Sequence, residues 1–271
     1  MRGVEKDLLE ARLEDAMRRC ESGCVATLPF LTPRDRRRAE QYLLMHGMRE
    51  QYWFWGGHPT AERACLFLLP DYLTACLSAS VSLCSTEDLC ALLAEEIADA
   101  VACVRIVGSG FRNLTHRDFL GSVLGLGLER DALGDVAVQN EHEAVLFCPR
   151  TLVPFLTGEL TKVASDTVRV KEYTVGEDFT DGKHYRSISD TVAAPRLDCV
   201  IAALCNLSRE AAQTLIRNGA VEVEFEEEDR VDVSLEPPVT ISARGYGRFI
   251  LRAFEGETRK GRLRLRADQL I

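Results

Sequence analysis

The segment from Arg196 to Gly219 constrains the fold more than any other part of the chain. Leu197, Val200, Ile201 and Leu204 recur at three- and four-residue spacing, which lines them along one face of a helix. Ser208 then stands where a helix N-cap belongs, and Ala212, Leu215 and Ile216 give the following helix an apolar face of its own. Asn218-Gly219 ends it, because glycine enters the left-handed conformation that closes a helix. Alternation in Val221, Val223 and Phe225, then Val239 and Ile241, then Leu263 and Leu265 predicts short strands around the pair.

Cations stand at the ends of these elements. Arg196 precedes the first helix and Arg209 opens the second, so both can point at phosphates. A guanidinium makes two parallel hydrogen bonds to phosphate oxygens and never loses its charge. Arg217, Arg244 and Arg248 extend the candidate surface, and Gly245 and Gly247 allow close backbone approach. Arg262, Arg264 and Arg266 alternate with Leu263 and Leu265, so a strand lines three cations on one face. Two accounts of that face stay open, a phosphate track and an exposed edge strand protected by charge. Asp198 is assigned to fixing a neighbouring arginine or capping, since a carboxylate repels phosphate. The acidic run Glu222, Glu224, Glu226, Glu227, Glu228 and Asp229 is expected to face away from any nucleic acid. Removing Arg196 and Arg209 together is expected to cost little stability.

Upstream, Leu9, Leu13, Ala16 and Cys20 predict an opening helix, with Gly23 following. Thr32-Pro33 starts a second helix whose first turns carry Arg34, Arg36, Arg37 and Arg38; an anionic partner and a solvated face both account for that crowding. Gly56-Gly57-His58-Pro59 is a turn and Ala64 to Leu69 a buried strand. A helix over Thr86 to Ala98 leads to a regular series: strand Val101–Val107, helix Thr115–Leu126, hairpin Asp135–Val138 with Ala144–Phe147, helix Thr151–Lys162, strand Thr167–Tyr173. That βαββαβ order is the ferredoxin-like, or RRM-like, one. Its strands carry almost no aromatic residue on which a base could stack, which disfavours reading of single-stranded RNA on the sheet face. Thr174 to Ala194 reads as a linker. The expected fold class is α+β in three small domains: residues 1–75, a middle domain at 76–175, a linker at 176–194 and a C-terminal domain at 195–271.

Several functions are disfavoured. His116-Arg117-Asp118 is spelled like a kinase catalytic triplet, but Val123 stands where the magnesium-binding asparagine belongs. Gly108-Ser109-Gly110 has Asn113 in place of the third glycine of a dinucleotide fingerprint. The ten cysteines form no CxxC pair and no zinc spacing, so reduced, mostly buried thiols are expected. No catalytic residue, metal site or cofactor is expected. No apolar run is long enough to cross a bilayer, and Glu5, Asp7 and Glu10 stand where a signal peptide would be apolar, so a cytoplasmic address is expected. The net charge of −9 opposes phosphate binding in general, but the acidic excess lies upstream of Pro195 and a local basic face is compatible with it.

The pattern Arg196-Leu197-Asp198, Ser208-Arg209-Glu210-Ala211-Ala212 and Leu215 to Val223 resembles the S-four, or alpha-L, RNA-binding domain. Pro29 to Arg34, Ala61-Glu62-Arg63, Leu69-Pro70-Asp71-Tyr72, Leu114 to Leu128, Arg130 and Gly134-Asp135 precede it in the same order as in the bacterial YlmH family, which the chain resembles over nearly its whole length. The resemblance implies a non-enzymatic RNA binder of ribosome-associated quality control. Its partners would be rRNA of the large ribosomal subunit, peptidyl-tRNA and a NEMF-type factor, and a monomer is expected. By motif, Arg196 and Arg209 are the leading contacts and Ser208 the cap that sets the second helix. Family members usually carry Asn or a basic residue where Glu224 stands, so RNA contact from that strand is not expected. An RNA-modifying enzyme built on the middle domain and a cell-division scaffold remain the competing classes.

Overall fold

A computed structural model describes residues 2–76, 84–176 and 179–271, with side chains from residue 8 onward. Instead of three domains and a connector, it divides into two compact units, Met1–Gly182 and Lys183–Ile271. The reason for the first union lies in the strands.

In the N-terminal part, helix α1 (Arg2–Glu21) buries Leu9, Leu13, Ala16 and Cys20 as their spacing predicts. Thr32 caps α2 (Pro33–Met45) by accepting from the Asp35 amide at 3.1 Å, and Pro33 stands in the first turn. Both helices pack on an antiparallel sheet of order β1-β3-β2, formed by Ala26–Leu31, Ala64–Leu68 and Tyr52–Trp55. Strands β1 and β2 are additional to the expected elements; Pro29 interrupts β1 where the pairing with β3 shifts register. Strand β3 is buried along its whole length, Leu66 and Leu68 toward the helices, Cys65 and Phe67 toward the next sheet.

That next sheet has the order β5-β6-β4-β8-β7, with every pair antiparallel. Its elements follow the chain as β4 (Ala102–Gly108), α6 (His116–Leu124), β5 (Val136–Asn140), β6 (Glu143–Cys148), α7 (Val153–Glu159), β7 (Lys162–Val163) and β8 (Asp166–Tyr173). Before them, Thr86–Leu92 (α4) and Ala94–Ala100 (α5) divide what reads as one helix, and a short α3 covers Asp71–Cys76. Thr115 and Asp118 form a reciprocal capping box at the start of α6. The helix expected over Thr151–Lys162 is shorter: a single tight turn at Arg150–Leu152 leads into α7, and Lys162–Val163 instead pairs with Thr167 and Asp166.

Val104, Ile106, Ala144 and Leu146 face α6 and α7, while Cys103, Val145 and Phe147 face Phe30, Cys65 and Phe67 of the N-terminal sheet. Burial on both faces joins the two parts into one unit, and each fully buried Phe adds about 1.5–3 kcal/mol. Polar contacts tie the loop before β3 to α2 and, through Arg63 and Asp135, to the middle sheet. Arg36 donates to the carbonyls of Ala61 and Glu62, both at 2.9 Å, and Arg63 donates to the Leu133 carbonyl at 2.7 Å. The Asp135 carboxylate accepts from the amides of Glu62 and Arg63 at 2.7 and 3.1 Å.

The C-terminal unit is a six-stranded antiparallel sheet of order β11-β10-β12-β13-β14-β9. Its strands are Glu226–Glu227 (β11), Val221–Val223 (β10), Val239–Ala243 (β12), Gly247–Glu257 (β13), Leu263–Leu270 (β14) and Tyr185–Val192 (β9). Helices α8 (Leu197–Leu204) and α9 (Arg209–Arg217) lie on one face, sharing a core with Val239, Ile241, Phe249, Leu251, Leu265 and Ala267. The segment expected to be a linker supplies β9, which pairs with β14 from Tyr185 to Val192. It is an edge strand with little apolar content, only Ile188 and Val192 joining the core, so periodicity leaves it invisible. Phe225 does not continue β10. Glu224 and Phe225 form the two-residue turn to β11, both with positive φ, at 51° and 66°.

Candidate nucleic-acid interface

The first turn of α8 has no side-chain cap. Backbone groups replace it: the amides of Leu197 and Asp198 donate to the carbonyls of Val233 and Val231 at 2.9 and 3.0 Å. Ser208 does cap α9, accepting from the Ala211 amide at 3.1 Å. These two anchorages bring the helix starts together over one buried carboxylate.

Asp198 is fully buried, with no exposed surface, and four hydrogen bonds converge on it. Arg196 donates from Nε to Oδ1 and from Nη2 to Oδ2, both at 3.2 Å. Arg209 Nε donates to Oδ2 at 2.9 Å, and Gln213 Nε2 donates to the same oxygen at 2.8 Å. Arg209 and Gln213 reach it together because residues four apart share a helix face. Burial alone would raise the Asp198 carboxyl; the hydrogen bonds from Gln213, Arg209 and Arg196 outweigh it and hold the group well below its ordinary value. The same hydrogen bond raises the Arg209 guanidinium.

The arginine side chains stay open to water, 37% exposed at Arg196 and 55% at Arg209. Their remaining N–H donors face solvent from two different helices, held at fixed orientation by one anion that solvent does not reach. Two cations over one buried anion leave a local positive excess. Asp198 thus takes the fixing role assigned to it from its charge. Gln213 gives no sequence signal, being an ordinary helix residue until the fold places it beside Asp198. Removal of both arginines would strip that buried carboxylate of both its cations and leave it only the neutral Gln213 and Cys199 side chains, so the expectation of little stability loss is corrected.

The other predicted residues do not join this pair. Arg217 is exposed at the end of α9, and the loop carrying exposed Arg244 lies beside it, the Arg244 amide donating to the Ala220 carbonyl at 2.8 Å. Arg248 lies on the sheet face away from the helices, its guanidinium 5.3 Å from the Phe225 ring centroid. Arg262 donates from Nε to Thr191 Oγ1 at 3.0 Å, Arg264 is exposed opposite Thr191, and Arg266 pairs with Glu255 at 3.0 Å. Period-two alternation explains the separation: burying Leu265 and Ala267 under the helices turns Arg264 and Arg266 to the far side. Strand β14 lies between β13 and β9, so the edge-strand account of its arginines is corrected as well.

In the first unit, Arg36 ties α2 to the loop before β3 and Arg38 pairs with Asp35 at 3.4 Å, so these members of the N-terminal arginine cluster have a structural task. Burial pushes the Cys65 and Cys148 thiols up to about 12, which suits inert core residues. Among the described residues no group of three or more His, Cys, Asp or Glu could hold a metal, and no helix is long and apolar enough to cross a membrane.

A sheet backed by two helices, followed by a unit with paired arginines at two helix starts, is the class of protein these features define. The family described as "Putative RNA-binding domain in YlmH" matches residues 101–177, the five-stranded sheet with its helices. Ribosome-associated protein quality control protein P2 of Bacillus subtilis (strain 168) is 28% identical over 213 residues, 78% of this chain and 75% of its own length. A solved structure, cell division protein ylmH from Streptococcus pneumoniae, is 21% identical with a TM-score of 0.44, covering 63% of this chain and 92% of that one. The chain is homologous to the YlmH and quality control protein P2 family.

Proposed function

We propose that this chain is a non-catalytic RNA-binding protein of ribosome-associated quality control, and that it holds rRNA of the large ribosomal subunit together with peptidyl-tRNA. The C-terminal unit acts as an S-four, or alpha-L, module over residues 195–271, extended by β9. The middle part, residues 76–175, acts as a ferredoxin-like domain. The protein works in the cytoplasm on the ribosome, as a monomer, alongside a NEMF-type factor. The observation that carries this reading is the Asp198 clamp, which sets two guanidinium groups from two helices in one fixed, water-facing arrangement. The quality-control name of the Bacillus subtilis relative and the RNA-binding description of the matched family support it from outside the geometry.

Arg196→Gln with Arg209→Gln tests it, because glutamine can still offer Asp198 an amide donor near the Nε position while removing the charge and the outer guanidinium nitrogens. Cosedimentation with large ribosomal subunits is expected to fall at least about tenfold, and the slope of log affinity against log salt to shrink by roughly 1.5–2. Unchanged cosedimentation with an unchanged slope would refute the assignment of this face.

A further inference from the structure

The exposed aromatic that the middle sheet lacks on its strands is present on the loop that leaves β4. Phe111 is 96% exposed, yet the loop around it is anchored on every side. Asp166, buried at the start of β8, accepts from the Ser109 amide at 3.1 Å and from the Ser109 hydroxyl. The Ser109 hydroxyl oxygen in turn accepts from the Phe111 amide at 3.3 Å. The Arg112 carbonyl lies 3.0 Å from His142 Nδ1, Arg112 Nη1 donates to Ser165 Oγ at 3.0 Å, and the Leu114 amide donates to the Glu141 carbonyl at 2.7 Å. A Cβ at Gly108 would come within 2.8 Å of the Asp166 carboxylate, so a larger residue there would push this anchor aside. A single exposed apolar side chain needs no explanation; one held out by a buried carboxylate, among cations, does.

The cations come from the adjoining sheet. On the face away from α6 and α7, one half is covered where Cys103 and Phe147 pack against the N-terminal sheet. The other half, next to the loop, exposes Val107, with Arg169 directly across from it and Lys171 across from Arg105. Lys162 continues the row opposite Thr167. The neighbouring acids are mostly engaged: Arg105 holds Glu143 through two hydrogen bonds, Ser109 holds Asp166, and Thr115 holds Asp118. Glu141 is an exposed acid in the nearby β5–β6 turn.

We propose that Phe111 is a stacking platform for an unpaired RNA base, with Arg112, Arg169 and Lys171 taking the flanking phosphates. This inference rests on the RNA-binding reading above and gives the middle domain its own contact with RNA, through a loop tip instead of strand aromatics. An aromatic face accepts any base, and the surrounding cations supply the sequence-independent attraction to the backbone.

The test uses the full chain and two fluorescein-labelled probes, an RNA hairpin with an unpaired loop and a blunt RNA duplex of the same length. Phe111→Ala is expected to weaken hairpin binding by about 5- to 100-fold and duplex binding by less than about twofold. Phe111→Tyr restores hairpin affinity, and Arg169→Ala lowers the salt slope by about 1. Substitution at so exposed a position leaves folding intact, so the loss reads binding. Equal hairpin affinity in Phe111→Ala and the wild type would overturn the stacking surface alone, as would an equal loss on both probes or failure of Phe111→Tyr to restore it. A wild-type chain that binds neither probe nor large ribosomal subunits would overturn the RNA reading beneath it.

Discussion

Replacing Asp198 by Asn keeps the shape of the side chain and removes the charge on which Arg196, Arg209 and Gln213 converge. The amide oxygen can still accept one or two hydrogen bonds, but the new NH₂ group faces donors. At least half of the four bonds are lost. Hydrogen bonds to a charged group contribute about 1.5–3 kcal/mol each, and the water-facing guanidiniums recover part of that, so a net loss of about 2–3 kcal/mol is expected. For a unit of this size that lowers the melting transition by roughly 10–20 °C. Amide hydrogen exchange over α8 and α9 reads the loss locally, separately from the first unit.

The pH dependence gives a second readout. The folded-state Asp198 carboxyl lies below its ordinary 3.8, so its contribution is fully present above that value and is lost as pH falls through the depressed folded value. The gap between wild type and Asp198→Asn is therefore widest near neutrality and closes progressively below about pH 4. Exchange protection of α8 and α9 within about 0.5 kcal/mol of wild type at neutral pH would refute the keystone role. A gap that failed to narrow between about pH 4 and pH 2 would refute the electrostatic cause.

Ser208→Ala removes the α9 cap and is expected to cost about 1 kcal/mol in urea unfolding, with Ser208→Asp restoring most of it. An unaffected midpoint would mean that the 3.1 Å bond to the Ala211 amide adds nothing. Phe225→Gly supplies the favoured residue at the second position of the β10–β11 turn, where φ is positive, and leaves in place the hydrogen bond that the Glu224 carboxylate accepts from the Thr240 amide. Relief of about 1–2 kcal/mol of strain exceeds the 0.5–1 kcal/mol or so lost with the Phe225–Arg248 contact, so net stability rises. A fall in the urea midpoint would show that the turn carries no such strain.

Much of the candidate site was legible because its signals are local. The stripe of Leu197, Val200, Ile201 and Leu204, the Ser208 cap and the Gly219 closure each concern residues within a few positions of one another. The fixing role of Asp198 followed from charge alone. The same holds for the βαββαβ order of the middle sheet, where period-two and helical spacing alternate cleanly. Strand β9 was illegible because an edge strand needs few apolar residues, and its partner β14 lies more than seventy positions along the chain. Phe111 gives no signal in the sequence, because a solitary aromatic in a loop has no periodicity and the anchors of its loop, Asp166 and His142, are distant along the chain.

The amino-acid order by itself determined the caps that start α2, α6 and α9, the strands and helices of the middle sheet in outline, and which arginines stand at helix ends, since these depend on backbone preference and nearest-neighbour spacing. Only the tertiary structure decided which of those arginines act together. Burial turns alternate side chains of a strand to opposite faces, which sent Arg248 and Arg264 away from the helices, while two helix starts closing over one carboxylate drew Arg196 and Arg209 together. Tertiary burial also merged the first two parts into one unit, because a strand such as β6 can bury both faces only when a second sheet arrives from elsewhere in the chain.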